Sequence, residues 1–351
     1  VKIAQVAPLY ESVPPKLYGG TERVVSYLTE ELIQQGHQVT LFASGDSITR
    51  ARLRAPCARS LRMDKACHDP IVYHTLMLEQ LLREAASFDI IHFHIDYFHF
   101  PSSRRQPTPI VHTSHGRLDM PELVPLFHEF RDIPVVSISD AQRAPLPWIN
   151  WQATVYHGLP EDSYTFQASP GEYLVFLGRI SPEKQVHHAI EIARRVGMKL
   201  KIAAKIDRRD CEYYQTVVEP LLADPMVEYI GEIGAEEKDQ FLGQAYALLF
   251  PIDWPEPFGL VMIEALACGT PVIAYRRGSV PEVLEDGVTG FIVEDLEEAV
   301  QAVRRIEHLD RGECRRQFEQ RFSVSRMTYD YLEVYQRLLA EKKPSAAVRY
   351  A

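Results

Sequence analysis

Short apolar runs rich in β-branched residues alternate with amphipathic stretches along almost the whole chain, and no other feature narrows the fold as far. A strand, a helix and a second strand lay the two strands parallel, because the helix carries the chain back to the end it left. In the first half the runs are KIAQVA (2–7), QVTLFA (38–43), DIIHFH (89–94), PIVHTS (109–114) and PVVSIS (134–139). The second half offers YLVFLG (173–178), KLKIAA (199–204), VEYIG (227–231), ALLFP (247–251) and PVIAY (271–275). Between the two series, YHGLPEDSYTFQASPGE (156–172) is rich in Gly, Pro, Ser and acid and reads as a linker. Two α/β domains are therefore expected, over 1–163 and 164–325. The stretch after them spaces Met327, Tyr331, Leu332, Val334, Tyr335 and Leu338 along one helix face that could pack on either domain. KPSAAVRYA (343–351) reads as a frayed tail.

At 351 residues the chain exceeds what one core usually organises, which agrees with two domains. A formal net charge of -10 would repel a phosphate backbone, so general nucleic-acid binding is excluded, although a local basic pocket is not. The five cysteines are scattered and form no C-x-x-C pair, which points to a reducing cytoplasm. No apolar run is long enough to span a membrane and the start lacks the pattern of a signal peptide; peripheral membrane contact is not indicated. Oligomeric state has no signature.

Open α/β sheets bind ligands beyond the carboxyl ends of their strands, so the residues after each strand carry the information. YLVFLG leads into GRISPEK (178–184), which predicts a helix over 182–196 with Ser181 as N-cap, Pro182 in first position and Gly197 as stop. Arg179 ahead of that helix and Lys184 in its first turn would form, with the aligned N–H groups, an anion site suited to phosphate. The plain alternative is a solvated Arg179 and a Lys184 paired with Glu183 or Glu191.

After ALLFP the chain reads WPEPFGLVMIEALACG (254–269), a turn at Pro257 and Gly259 and then a short apolar helix over about 259–268. Glu256 falls in the turn and Glu264 in the helix, where a carboxylate is costly unless something pairs with it. Glutamates eight apart also occur at 22/30, 183/191, 228/236 and 333/341, among polar neighbours that suggest ordinary surface pairs. Ionised carboxylates accept hydrogen bonds bidentately, so sugar hydroxyls are fitting partners, and without them both glutamates should look incompletely satisfied. A dipole partner for Glu256 and a cap or buried hydrogen bond for Glu264 are the plain alternatives.

In the first half LYGGTERVV follows the first strand. Gly19 and Gly20 would let a ligand approach the backbone, Thr21 can cap, and the helix should run to Gly36. The dinucleotide and P-loop fingerprints are both missing. His92, His94, His99 and His112 alternate with apolar residues or lack metal-site spacing and read as core or cleft-edge histidines. His115 stands at a strand end and is the stronger functional candidate. No D-x-D metal clamp is present.

Taken together, these residues resemble the retaining glycosyltransferases of family 4, whose GT-B fold sets two Rossmann-like α/β domains with parallel sheets facing a cleft. EPFGLVMIEALACGTPVIA is similar to the family's E-x7-E element and its small-residue run, GRISPEK to its G-R-x-x-x-x-K phosphate segment, and GSVPEVLEDGVTGFIV (278–293) to the family's usual continuation; YGGTE and HTSHG fall in the right order. The resemblance implies that Glu264 grips the ribose of a nucleotide diphosphate sugar and Glu256 the transferred sugar, with Phe258, Gly259 and Leu260 around sugar and phosphate. Arg179 and Lys184 would bind the diphosphate, His115 would stand beside the sugar, and Gly20, after Gly19, near the phosphates. The family implies an N-terminal acceptor domain, a C-terminal donor domain, a final helix (326–351) crossing back to the N-terminal domain, and transfer to a hydroxyl acceptor without metal or resident cofactor. Where many relatives carry a Gly-rich loop, this chain has AAKIDRRD, so Lys205 either adds a phosphate contact or pairs with Asp207, and UDP, GDP or ADP stays open. A GT-B epimerase or phosphorylase, and a glycan- or nucleotide-sugar-binding protein without turnover, are the competing readings.

Overall fold

A computed structural model describes residues 1–342; the expected frayed tail lies outside the described residues. The chain divides into two units, the first made of 1–138, 143–156 and the residues from 324, the second of 139–142 and 157–323.

The first unit is built on a seven-stranded sheet: β1 (Lys2–Val6), β2 (Gln38–Phe42), β3 (Arg52–Arg54), β4 (Ile90–Phe93), β5 (Ile110–Thr113), β6 (Val135–Ser137) and β7 (Trp151–Thr154). Their order is β3-β2-β1-β4-β5-β6-β7, with every pairing parallel. The second unit holds β8 (Tyr173–Arg179), β9 (Lys199–Lys205), β10 (Val227–Gly231), β11 (Ala247–Phe250), β12 (Val272–Tyr275) and β13 (Gly290–Val293). These run β10-β9-β8-β11-β12-β13, again all parallel. Helices on the sheets bury the strand faces, which is why β11 and β12 are buried at every residue and read in the sequence as unbroken apolar runs.

All ten expected strands are present, and the three further ones, β3, β7 and β13, are edge strands. An edge strand needs no continuous apolar run: β3 is only Arg-Leu-Arg, and β7 is half-buried throughout.

Of the stretch 156–172, expected to be a linker, residues 157–172 are instead fastened to the second unit. Leu159 N–H donates to the Phe322 carbonyl at 2.9 Å and Gln167 N–H to the Cys268 carbonyl at 3.0 Å, while Thr165 bonds the Asp239 carboxylate through backbone and hydroxyl. Its loop-like composition reflects irregular backbone whose amides are satisfied one at a time. The short segment 139–142 joins the same unit through Glu282, whose carboxylate accepts from the Asp140 and Ala141 amides, each at 2.7 Å.

The last helix, Val324–Lys342, packs in the first unit beside Gly20–Gln34. Met327, Tyr331, Val334, Tyr335 and Leu338 form its buried face, with Leu332 half-buried.

Candidate active site

Each sheet has one place where strand order reverses, β1/β4 in the first and β8/β11 in the second, and connections there leave toward opposite sides and open a crevice beyond the strand ends. At β8/β11 those ends deliver Arg179 to Lys184 from one strand and Pro251 to Gly259 from the other.

Arg179 ends β8 in register with Lys205 at the end of β9, so two cations stand side by side. Acids surround them. The Arg179 guanidinium pairs with Glu183, with Asp210 at 3.4 Å and with Asp207 at 3.7 Å, and Lys205 Nζ lies 2.9 Å from Asp207. Partial burial pushes the Glu183 carboxyl up, but a backbone N–H bond and then the neighbouring guanidinium hold it below its ordinary range.

The helix expected over 182–196 is broken in two. Pro182–Lys184 is a single tight turn, Gln185 adopts a left-handed conformation with φ 48°, and the α-helix begins only at Val186, ending as expected at Gly197. Ser181 makes no capping bond. This break turns Lys184 toward β11, where its ammonium pairs with Glu256 and lies 4.9 Å from the Trp254 ring centre and 5.4 Å from that of Phe250. Glu183, anchored by its carbonyl to the Asp253 amide at 2.8 Å, ties the two loops together. Lys184 therefore pairs with neither Glu183 nor Glu191; the latter bonds Arg194 and Arg195 of its own helix.

Glu256 and Glu264 are not left unsatisfied. Glu256 Oε2 takes Lys184 and the Trp254 indole N–H, the latter at 2.8 Å. Glu264, only 2% exposed, receives Lys238 Nζ on both oxygens, at 2.9 and 3.2 Å. A carboxylate so buried would lose too much hydration to remain ionised alone. Lys238 comes from the helix Ala235–Gly243 and is itself largely buried.

The turn carrying Glu256 depends on a distant glycine. Gly278 has φ +52°, and a Cβ there would stand 2.3 Å from the Glu256 carbonyl oxygen; the next amide, Ser279 N–H, donates to that carbonyl at 2.9 Å. Ser279 Oγ also donates to the Phe258 carbonyl at 2.9 Å. Phe258 is buried, Gly259 caps the helix Leu260–Ala267 with φ 78°, and Leu260 opens that helix.

In the first unit Gly19, not Thr21, occupies the cap position, and the helix starts at the exposed Gly20. Gly19 packs against Pro15, so close that a Cβ would stand 2.7 Å from the ring. Glu22, expected on the surface, is buried in the first turn, where desolvation raises its pKa to about 6.

The core histidines form two hydrogen-bonded runs. His99 links Ser103 Oγ at 2.7 Å to His112 at 3.1 Å. The longer run starts at the half-buried His115, whose Nε2 lies 2.9 Å from His94 Nδ1. From there His94 Nε2 meets Gln5 Oε1 at 2.8 Å, Gln5 Nε2 donates to the Tyr335 hydroxyl at 3.1 Å, and that hydroxyl meets His92 Nδ1 at 2.7 Å. His92 Nε2 lies 2.7 Å from Thr113 Oγ1, which in turn is 3.1 Å from the Tyr331 hydroxyl. Burial pushes the His115 and His112 pKa values down to about 3 and lowers His92 and His99 well below their ordinary value. Beside His115, at the ends of β4 and β5, a pocket of about 220 Å³ is floored by Phe100, Leu118 and Phe127 and edged by Ser114, Gly116 and Arg117.

Two family models match in tandem: Glycosyltransferase Family 4 over residues 18–153 and Glycosyl transferases group 1 over 165–322. The chain belongs to the family 4-like glycosyltransferases. Among its curated relatives, an uncharacterized glycosyltransferase of Methanocaldococcus jannaschii is 25% identical over a region that is 54% of each chain, so the match spans about half of that relative. A second uncharacterized glycosyltransferase of the same organism is 23% identical over 84% of this chain and 85% of its own. Among solved structures, AviGT4, a glycosyltransferase involved in avilamycin A biosynthesis, is 25% identical with a TM-score of 0.74, covering 97% of this chain and 98% of that one. Anabaena HepE in complex with UDP and glucose shares the fold, at 18% identity, a TM-score of 0.75, and coverage of 96% and 99%. The glycosyltransferase thus has the GT-B fold, two parallel-sheet α/β units. Lys238, Trp254, Asp210 and Gly278 of this glycosyltransferase escaped the sequence reading. All but Trp254, which bonds Glu256 within the same turn, act on a partner in another element or loop, and only the buried setting of Glu264 hinted that a cation had to come from somewhere.

Proposed function

We propose that the glycosyltransferase moves a hexosyl group from a nucleoside diphosphate sugar to a hydroxyl acceptor, with retention of configuration and without a metal. The observation that carries this reading is the Lys184–Glu256 ion pair beyond the β8/β11 crevice. It joins the cation expected for the diphosphate to the carboxylate expected for the transferred sugar. On donor binding each exchanges its partner, phosphate oxygen for Glu256 at Lys184 and sugar hydroxyl for Lys184 at Glu256. Arg179, with Lys205 beside it, would likewise trade carboxylates for phosphate, and Glu264, paired with Lys238, would accept from the ribose hydroxyls.

Cleavage of the bond from sugar to phosphate builds negative charge on the leaving diphosphate and oxocarbenium character on the sugar. Arg179 and Lys184 stabilise the first; Glu256 and the backbone from Phe258 to Leu260 hold the second in place. The departing phosphate oxygen takes the acceptor's proton as the acceptor attacks the face it leaves. Gly19 and Gly20 admit the phosphates, His115 hydrogen-bonds the sugar, and the first unit's pocket beside His115 receives part of the acceptor. Free cysteines support a reducing compartment, the cytoplasm.

The UDP and glucose bound by HepE make UDP-glucose the first donor to test, alongside GDP- and ADP-sugars. Release of nucleoside diphosphate with EDTA present, and a product whose anomeric coupling by NMR matches the donor's, is the expected result. Inverted product, or release only with added divalent metal, would overturn the mechanism.

A further inference from the structure

We infer that Trp254 is the positioning residue that keeps Lys184 and Glu256 in place while their ion pair opens for the donor. The inference rests on the reading of Lys184 as a diphosphate contact and of Glu256 as a contact of the transferred sugar.

The local sequence Trp254-Pro255-Glu256 already restricts the turn, because the proline ring fixes the backbone torsion between the two. Two bonds then close the turn on itself. Glu256 N–H donates to the Trp254 carbonyl at 2.8 Å, and the Trp254 indole N–H donates to Glu256 Oε2 at 2.8 Å. An indole N–H only donates and a carboxylate only accepts, so the second bond has a single direction. Lys184 reaches the same oxygen, Oε2, and Oε1 has no partner among the described residues. The carboxylate is thus turned with one oxygen taken twice and the other open. The face of the same indole lies 4.9 Å from the Lys184 ammonium, and the Phe250 ring 5.4 Å from it. Trp254 holds the anion by its edge and the cation by its face, as the charge distribution of the ring favours.

These contacts act when phosphate takes Lys184 from Glu256. An ion pair that simply parts leaves two flexible side chains to be ordered again, which costs rotamer freedom. Here the indole bond stays on Oε2 and keeps Oε1 toward the sugar hydroxyl, while the two rings keep the ammonium where the phosphate meets it. Neither side chain has to find a new place; each exchanges one partner. Groups fixed in this way beforehand need no reorganisation as charge develops.

Edge and face are separable by substitution, since Phe retains a face for Lys184 and lacks the N–H, whereas Leu lacks both. Trp254→Phe should lower kcat about ten- to a hundredfold, the range of one hydrogen bond to a charged group, with donor KM little changed. Trp254→Leu should in addition raise donor KM roughly tenfold. The bond itself is read by proton–nitrogen correlation on the whole protein labelled in tryptophan, where the one of three indole signals missing from Trp254→Phe belongs to Trp254. Its proton is expected at low field, to stay there on saturation with UDP, or with GDP or ADP if UDP does not bind, and to move upfield in Glu256→Ala. Should Trp254→Phe not fold, Trp148→Phe and Trp151→Phe assign the other two signals, and the titration is read on the wild-type chain. An indole proton that moves upfield with the nucleotide, or that Glu256→Ala leaves in place, would overturn the inference, as would wild-type kcat in Trp254→Phe. No binding of any of the three nucleotides would instead overturn the reading of Lys184 as a diphosphate contact, and the inference with it.

Discussion

At the scale of single residues, the site consists of ions that have already found partners. Removing one takes away the other's counter-ion, so single substitutions should cost more stability than paired ones. Lys184→Met is expected to abolish transfer and to cost about 1–3 kcal/mol of stability, because Glu256 keeps only the Trp254 indole. Adding Glu256→Gln should restore the melting temperature without restoring activity. Lys238→Met should cost more, about 3–5 kcal/mol, since its partner Glu264 is almost wholly buried, and Lys238→Met with Glu264→Gln should recover most of it. Thermal unfolding checks both pairs, and equal losses in single and double variants would contradict the pairing. The sequence made the glutamates conspicuous but not their partners: Lys238 lies between Glu237 and Asp239, in a stretch that looks like any solvated face. A carboxylate's cost is a local property, visible in the sequence; what offsets it is a contact formed only by folding.

At the scale of elements, the glutamate turn is shaped from outside by the chain at Gly278. Gly278→Ala would have to hold a left-handed backbone and push a Cβ into the Glu256 peptide. We expect roughly 1–3 kcal/mol of destabilisation and a loss of transfer comparable to that of Glu256→Ala, read by urea unfolding and donor turnover. Normal turnover would show that the turn tolerates displacement. The central strands were all legible, because burial on both faces leaves an apolar run; of the edge strands only β10 was legible, and the short, half-buried β3 and β7 left no such trace. The helix after β8 was misread for a different reason. Ser181, Pro182 and Gly197 are good start and stop signals, and nothing local announces the left-handed Gln185 that swings Lys184 toward β11.

At the scale of the molecule, the two units should respond differently to acid. His92, His99 and His112 of the first unit are buried and held neutral, His112 down to about 3, whereas the unfolded chain takes up protons near 6.5. Their contribution is complete above pH 6.5 and is lost as pH falls toward 3, by up to about 1.4 kcal/mol per pH unit for each. Glu22 and Asp96 oppose them, because burial raises both carboxyl pKa values, Glu22 to about 6, and so favours the folded state as pH falls, but they are fewer than the buried histidines. Hydrogen exchange at pH 7.5 and pH 5 should therefore show the β1 to β7 sheet loosening first; equal loosening of the second sheet would refute this. The helix Val324–Lys342 has a consequence of another kind, in time. A ribosome finishes β7 first and must add all of 157–323 before that helix emerges, on the order of ten to thirty seconds later at typical elongation rates. During that interval Gln5 and His92 have no Tyr335 to bond, and the apolar seats of Met327 and Tyr331 stand empty. The first unit to be made is thus the last to be completed, and a nascent chain stalled in the second unit presents an open core to chaperones.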